Sequence, residues 1–137
     1  MFFKKNKKED EDKNFVKIAS LLIHAAKIDE NFSKTEEKII TEALLKLGAK
    51  NESLEGIIKA GKLMEENANQ ILDFTREVKN MDENKKIQII ETLWQIIYSN
   101  KEADIYETNL MRRLAGLLYV DNKTMGDIKE KIKKENS

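Results

Sequence analysis

The chain has no cysteine and no proline, and only five of its 137 residues are glycine. Without cysteine there are no disulfides, no thiolate catalysis and no cysteine-ligated zinc or iron–sulfur centre. Without proline nothing obliges a helix to break, and the scarcity of glycine leaves short polar turns as the punctuation. A single histidine cannot build a multi-histidine metal centre. An excess of one charge is missing too. The 25 basic side chains equal the 25 acidic ones, so the basic balance of a general nucleic-acid binder is absent. No apolar run approaches the roughly 18 residues that a membrane span needs. Met1-Phe2-Phe3 runs straight into Lys4-Lys5-Asn6-Lys7-Lys8, which leaves no apolar core for a secretory signal. The expected compartment is the cytoplasm, with peripheral attachment at the inner membrane as the one membrane role left open.

What is present is helical pattern. A 40% hydrophobic fraction supports a packed core, and a 36% charged fraction suits long solvated helix faces. The length fits one domain. Residues 1–12 read as a flexible charged tail, basic to Lys8 and acidic from Glu9 to Asp12, and residues 13–137 as the domain. Helix A is predicted over Lys13–Ile28, with Phe15, Ile18, Ala19, Leu22, Ala25 and Ala26 on one face. Helix B starts at Ser33. Ser33-Lys34-Thr35-Glu36 is a capping box in which the serine oxygen accepts a free backbone N–H and Glu36 reaches back. Gly48 stops helix B.

The next two helices are predicted over Leu54–Glu66, capped by Ser53, and over Ala68–Lys79, with Ile71, Leu72, Thr75 and Val78 inward and Phe74 at the edge. Asp82 caps a helix over Glu83–Ser99 with Ile87, Ile90, Leu93, Trp94 and Ile97 on its buried face. Asp104 to Glu107 forms a second capping box, and the helix behind it runs to Leu118. A last helix starts at Asp121 or Asn122 and buries Met125, Ile128 and Ile132. No stretch alternates like a half-buried strand.

The segment Leu22–Leu47 returns as Leu93–Leu118. With Asp29 set on Asn100, Ser33 meets Asp104, Glu36 meets Glu107, Ile40 meets Met111 and Leu47 meets Leu118, without a gap. Pattern, turn length and cap agree together, which two unrelated amphipathic helices would not arrange. The expectation is an all-α compact bundle of about six to seven helices built from two pseudo-symmetric helical hairpins.

His24-Ala25-Ala26-Lys27-Ile28-Asp29-Glu30-Asn31-Phe32-Ser33 through Glu36 resembles the TerB, or tellurite-resistance, pattern. That pattern is an alanine-rich helix, an acidic turn, a cap, and a glutamate seven residues after the aspartate. Arg112-Arg113-Leu114-Ala115-Gly116-Leu117-Leu118-Tyr119-Val120 resembles the end of uncharacterised bacterial TerB-like proteins. The likeness covers roughly residues 15–134. Glu30 and Lys101 stand where that family has glycine, and Asn100 where it has aspartate, so the second acidic turn is weakened.

No cofactor is expected; the alternative that the resemblance implies is a divalent cation contacted by acidic residues, here Asp29, Glu36 and Glu107. The plainer reading makes Glu36 and Glu107 capping partners and Asp29 a turn residue. The EF-hand template fails, because Lys34 takes its glycine position and Ile40 its closing glutamate. His24 is expected as a hydrogen-bonded histidine at the core edge, and the repeat puts Gln95 in its place. Trp94, Tyr98 and Tyr106 either line a groove or, as the pattern favours, pack in the core. Arg112-Arg113 either grips an anion or, more simply, pairs with a nearby glutamate.

No phosphate loop, nucleophile motif or zinc-protease signature is present. The expected function is therefore a non-enzymatic TerB-like interaction or scaffold module of a bacterial stress or tellurite-resistance system. It takes a protein partner, no nucleic acid and no small-molecule substrate. The alternative is a metal-binding or metal-sensing domain that uses the acidic turns.

Overall fold

The computed structural model describes the backbone of residues 2–27, 33–68, 71–99 and 105–135, and their side chains except those of 2–12, 72 and 105–107. Within these residues the chain forms seven α-helices and no strand. They are α1 (Phe2–Ala26), α2 (Lys34–Lys46), α3 (Leu54–Asn67), α4 (Leu72–Lys79), α5 (Glu83–Tyr98), α6 (Ile105–Leu117) and α7 (Asn122–Glu135). A short 3-10 turn, Asn51–Ser53, leads into α3. The all-α expectation holds.

Helix α1 packs on α2, α3, α4 and α5, while α5 also packs on α2 and α7. The short α4 touches both α1 and α6. It joins the two repeated units, as the sequence order suggested. A single apolar core takes residues from both, among them Ile18, Leu22 and Leu44 from the first and Ile89, Leu93 and Leu114 from the second.

The boundaries differ from expectation in instructive ways. Helix α1 begins at Phe2 rather than Lys13, so the charged segment 2–12 has helical backbone continuous with the apolar part. Ser53 does not cap α3 with its side chain. It sits in the 3-10 turn with helical backbone angles, where its hydroxyl faces no free N–H of the first turn. Helix α4 starts at Leu72, because Ala68 turns extended to end α3. Phe74, expected at an edge, is 1% exposed. Helix α4 is clamped between α1 and α6, so more than one narrow stripe of it is covered. Helix α5 shows the same effect: Ile89, Thr92 and Ile96 are buried in addition to the expected stripe, and Ile87 is only half-buried.

The duplication is written in the backbone. At the end of α2, the N–H of Leu47 bonds the carbonyl of Ala43 at 3.0 Å, Gly48 bonds Leu45 at 3.1 Å and Ala49 bonds Leu44 at 2.9 Å. At the end of α6, Leu118 bonds Leu114 at 2.8 Å, Tyr119 bonds Gly116 at 3.4 Å and Val120 bonds Ala115 at 3.0 Å. Every donor and acceptor of the first set matches its repeat counterpart in the second. Such a stop needs one residue in left-handed backbone. Gly48 fills it at φ 112, and Tyr119, against its sterics, at φ 57. The same register carries on into the third helix. Leu54 and Ile57 of α3 match Met125 and Ile128 of α7, and all four are buried. The repeated unit is therefore three helices, one more than the hairpin visible in the sequence.

Candidate functional site

The first inter-helix turn holds the sharpest sequence candidates. Ser33 begins it in extended backbone, and the capping box forms as expected. The Glu36 N–H donates to Ser33 Oγ at 3.1 Å, and the Ser33 N–H donates to Glu36 Oε1 at 2.8 Å. This reciprocal pair satisfies two donors that the helix start would otherwise leave open. Glu36 is 1% exposed, which is rare for a carboxylate. Asp29 lies outside the described residues, as do the turn 100–104 and the side chain of Glu107. The second capping box, Asp104 to Glu107, lies outside them as well.

A divalent cation asks for about six oxygen donors. Among the described residues no group of three or more His, Asp or Glu side chains comes together. Glu36 is the one candidate carboxylate described, and one of its oxygens already accepts the Ser33 N–H. The described residues alone do not make a cation cage.

His24 does not meet Glu36. Its Nδ1 lies 3.3 Å from Glu65 Oε1 on α3, and its ring is 6.0 Å from that of Phe74. Lys27 Nζ donates to the other oxygen, Glu65 Oε2, at 2.7 Å. The hydrogen bond to Glu65 raises the Lys27 pKa above 10.5, against a smaller opposing effect of burial. Glu65 thus ties the end of α1 to α3. The sequence held no signal for this, because Glu65 is remote from both partners and belongs to no motif. His24 is hydrogen-bonded at the edge of the core, as expected, beside the Lys27–Glu65 ion pair.

Trp94 is 3% exposed and stacks on Tyr98 at 5.9 Å between centroids. The core reading holds for both, while the side chain of Tyr106 lies outside the described residues. Burial, then the charge of Glu130, raises the Tyr98 pKa above 10.0. The expected glutamate partner for Arg112 or Arg113 is not found. Both are exposed and neither forms an ion pair among the described residues.

One surface feature was missed. Leu63 is 61% exposed beside Val16, Ala60, Met64 and Ala68, along an open groove of about 500 Å3 between α1, α3 and the start of α4, where Asn67 and Asp73 are its polar residues. The signal was there to read: Leu63 falls off the buried face of its helix and is apolar all the same.

The geometry defines a class, an all-α bundle made of two copies of a three-helix unit, with a serine capping box at the start of the second helix of the first unit. The model of the family described as tellurite resistance protein TerB matches residues 15–130, most of the chain, and the protein belongs to that family. No curated protein and no solved structure matches it.

Proposed function

We propose that this TerB-family chain is a non-enzymatic interaction module of a bacterial stress or tellurite-resistance system, acting in the cytoplasm. The observation that carries this reading is the exposed Leu63 in its mainly apolar groove along α1, α3 and the start of α4. Leu63 with the half-exposed Val16, Met64 and Ala68 forms an open apolar face, which suits contact with a protein more than the enclosed pocket of a catalytic cleft. The balanced charge supports a protein partner over nucleic acid. No described helix is long and apolar enough to cross a membrane. Peripheral membrane contact would run through Phe2, Phe3 and the lysines after them.

The test is capture from the source cell with the wild-type chain and with Leu63→Asp. Recovery of one reproducible partner by the wild type and its loss from an equally folded variant supports the reading. Recovery of no partner, or of the same partner by both, overturns it.

Metal binding at the first acidic turn is the second reading, favoured by the burial of Glu36. It makes the cofactor a divalent cation, held by Glu36 together with Asp29 and, in the second unit, by Glu107. Calorimetric titration with calcium, magnesium, manganese and zinc tests it. Saturable heat that Glu36→Gln abolishes supports the site, and no heat up to millimolar metal overturns it.

A further inference from the structure

A second groove, of about 150 Å3, opens where α5, α6 and α7 meet. Trp94, Met111, Ala115 and Met125 give it an apolar lining, and Arg112 and Lys129 supply its charge. Among the described residues that line it none is acidic. Among the described residues Arg112 forms no ion pair, and Lys129 Nζ lies 5.4 Å from the centre of the Trp94 ring. Trp94 also holds the one buried side-chain polar atom left without a hydrogen-bond partner among the described residues, its Nε1.

The duplication supplies an internal control. In the first unit the positions matching Trp94, Arg112 and Lys129 are Ile23, Thr41 and Ile58, and the two isoleucines are buried. The cations and the indole are thus particular to the second unit and not a consequence of the repeat. Nor does the N-terminus of α7 explain an attraction for anions. Asp121 already occupies it, accepting the Thr124 N–H at 2.7 Å, which holds the Asp121 carboxyl below its usual range.

We infer that this groove binds a short peptide segment of a protein partner in which a carboxylate sits beside an apolar side chain. The two cations take the carboxylate, and the indole and methionines cover the apolar group. The groove is well below the roughly 300 Å3 at which cofactor pockets begin, and it has room for about one side chain. A free inorganic anion would leave the apolar lining unused. An anionic bilayer is recruited by clusters of about four to eight basic residues, where this groove offers a pair. The site is separate from the Leu63 groove, so the fate of either leaves the other standing.

Trp94 is the sole tryptophan, which makes the chain its own reporter. The probe is the pentapeptide Glu-Glu-Leu-Glu-Glu, titrated at low salt against the full chain, with Gln-Gln-Leu-Gln-Gln as its neutral twin. The expected result is a saturable change in tryptophan emission and a shift of the single indole N–H resonance with the acidic peptide only. Arg112→Gln with Lys129→Gln should weaken binding roughly tenfold, as loss of two partly exposed ion pairs would. Lys133→Gln, on the same helix but outside the groove, should leave binding unchanged. Circular dichroism establishes that each variant is folded. The inference is overturned by no saturable change up to millimolar peptide, by equal response to the neutral twin, or by unchanged affinity in the double variant. It is also overturned if phosphatidylglycerol vesicles shift the emission and the acidic peptide does not.

Discussion

Ser20 on α1 and Gly61 on α3 are joined by a hydrogen bond, with the serine Oγ 3.1 Å from the glycine carbonyl oxygen. The same hydroxyl lies 2.8 Å from the carbonyl of Val16 on its own helix. Both residues are buried, so the two helices meet here almost backbone to backbone. A Cβ on Gly61 would fall 2.9 Å from Ala19 Cβ. The sequence counts Gly61 as a helix weakener, and the packing shows why it is there.

Gly61→Ala should therefore destabilise the chain although alanine is the better helix former by about 1 kcal/mol. The obstacle is a Cβ fixed to backbone, which cannot swing aside. A net loss of about 1–2 kcal/mol is expected from overpacking. Urea denaturation reads it, and a midpoint at or above wild type would contradict the close crossing.

Tyr119→Gly should do the reverse. Its left-handed backbone costs a side-chain-bearing residue about 1–2 kcal/mol, and the cation–π contact with Lys79 at 4.9 Å returns about 0.5 kcal/mol. A net gain of about 0.5–1 kcal/mol is expected. Gly48→Ala, at the matching stop, should lose at least as much. If Tyr119→Gly proved destabilising in the same urea assay, the two helix stops would not be equivalent.

Ser33→Ala removes the acceptor for the Glu36 N–H and should cost about 1 kcal/mol. Glu36→Ala should cost more. It strips the bond to the Ser33 N–H and empties a buried site at once. Metal-free protein should show both losses undiminished, since the cap needs no ion. Thermal melts with and without chelator give the answer.

Tyr98 should ionise above pH 10.0, because burial disfavours its phenolate. The sign follows from a folded-state pKa above the unfolded one. The stability linked to Tyr98 is fully present below pH 10 and is lost as pH rises through the folded value. Ultraviolet titration should find a late-ionising tyrosine that Tyr98→Phe deletes, and the variant should lose less stability above pH 10 than wild type.

Much of the fold was legible. The apolar spacing of Ile18, Leu22, Ile90 and Leu93, the caps at Ser33 and Asp82, and the stop at Gly48 are local features, and each appears where the pattern put it. The errors came where contacts between distant segments decide. Phe74 was misplaced because α4 is covered from two sides, and Ile89 and Ile96 because α5 lies at the centre. Of the candidate site, the capping role of Glu36 was readable from its spacing to Ser33, but its depth of burial was not.

By itself the sequence determined the helices, most of their ends and the fact of duplication, since these rest on propensity and on periods a few residues long. Only the tertiary structure decided that Glu65 answers His24 and Lys27, that Gly61 admits α1, and that Trp94 floors a groove flanked by Arg112 and Lys129. Those are relations between surfaces brought together by burial, and a one-dimensional pattern carries the period of a helix face without the identity of what covers it.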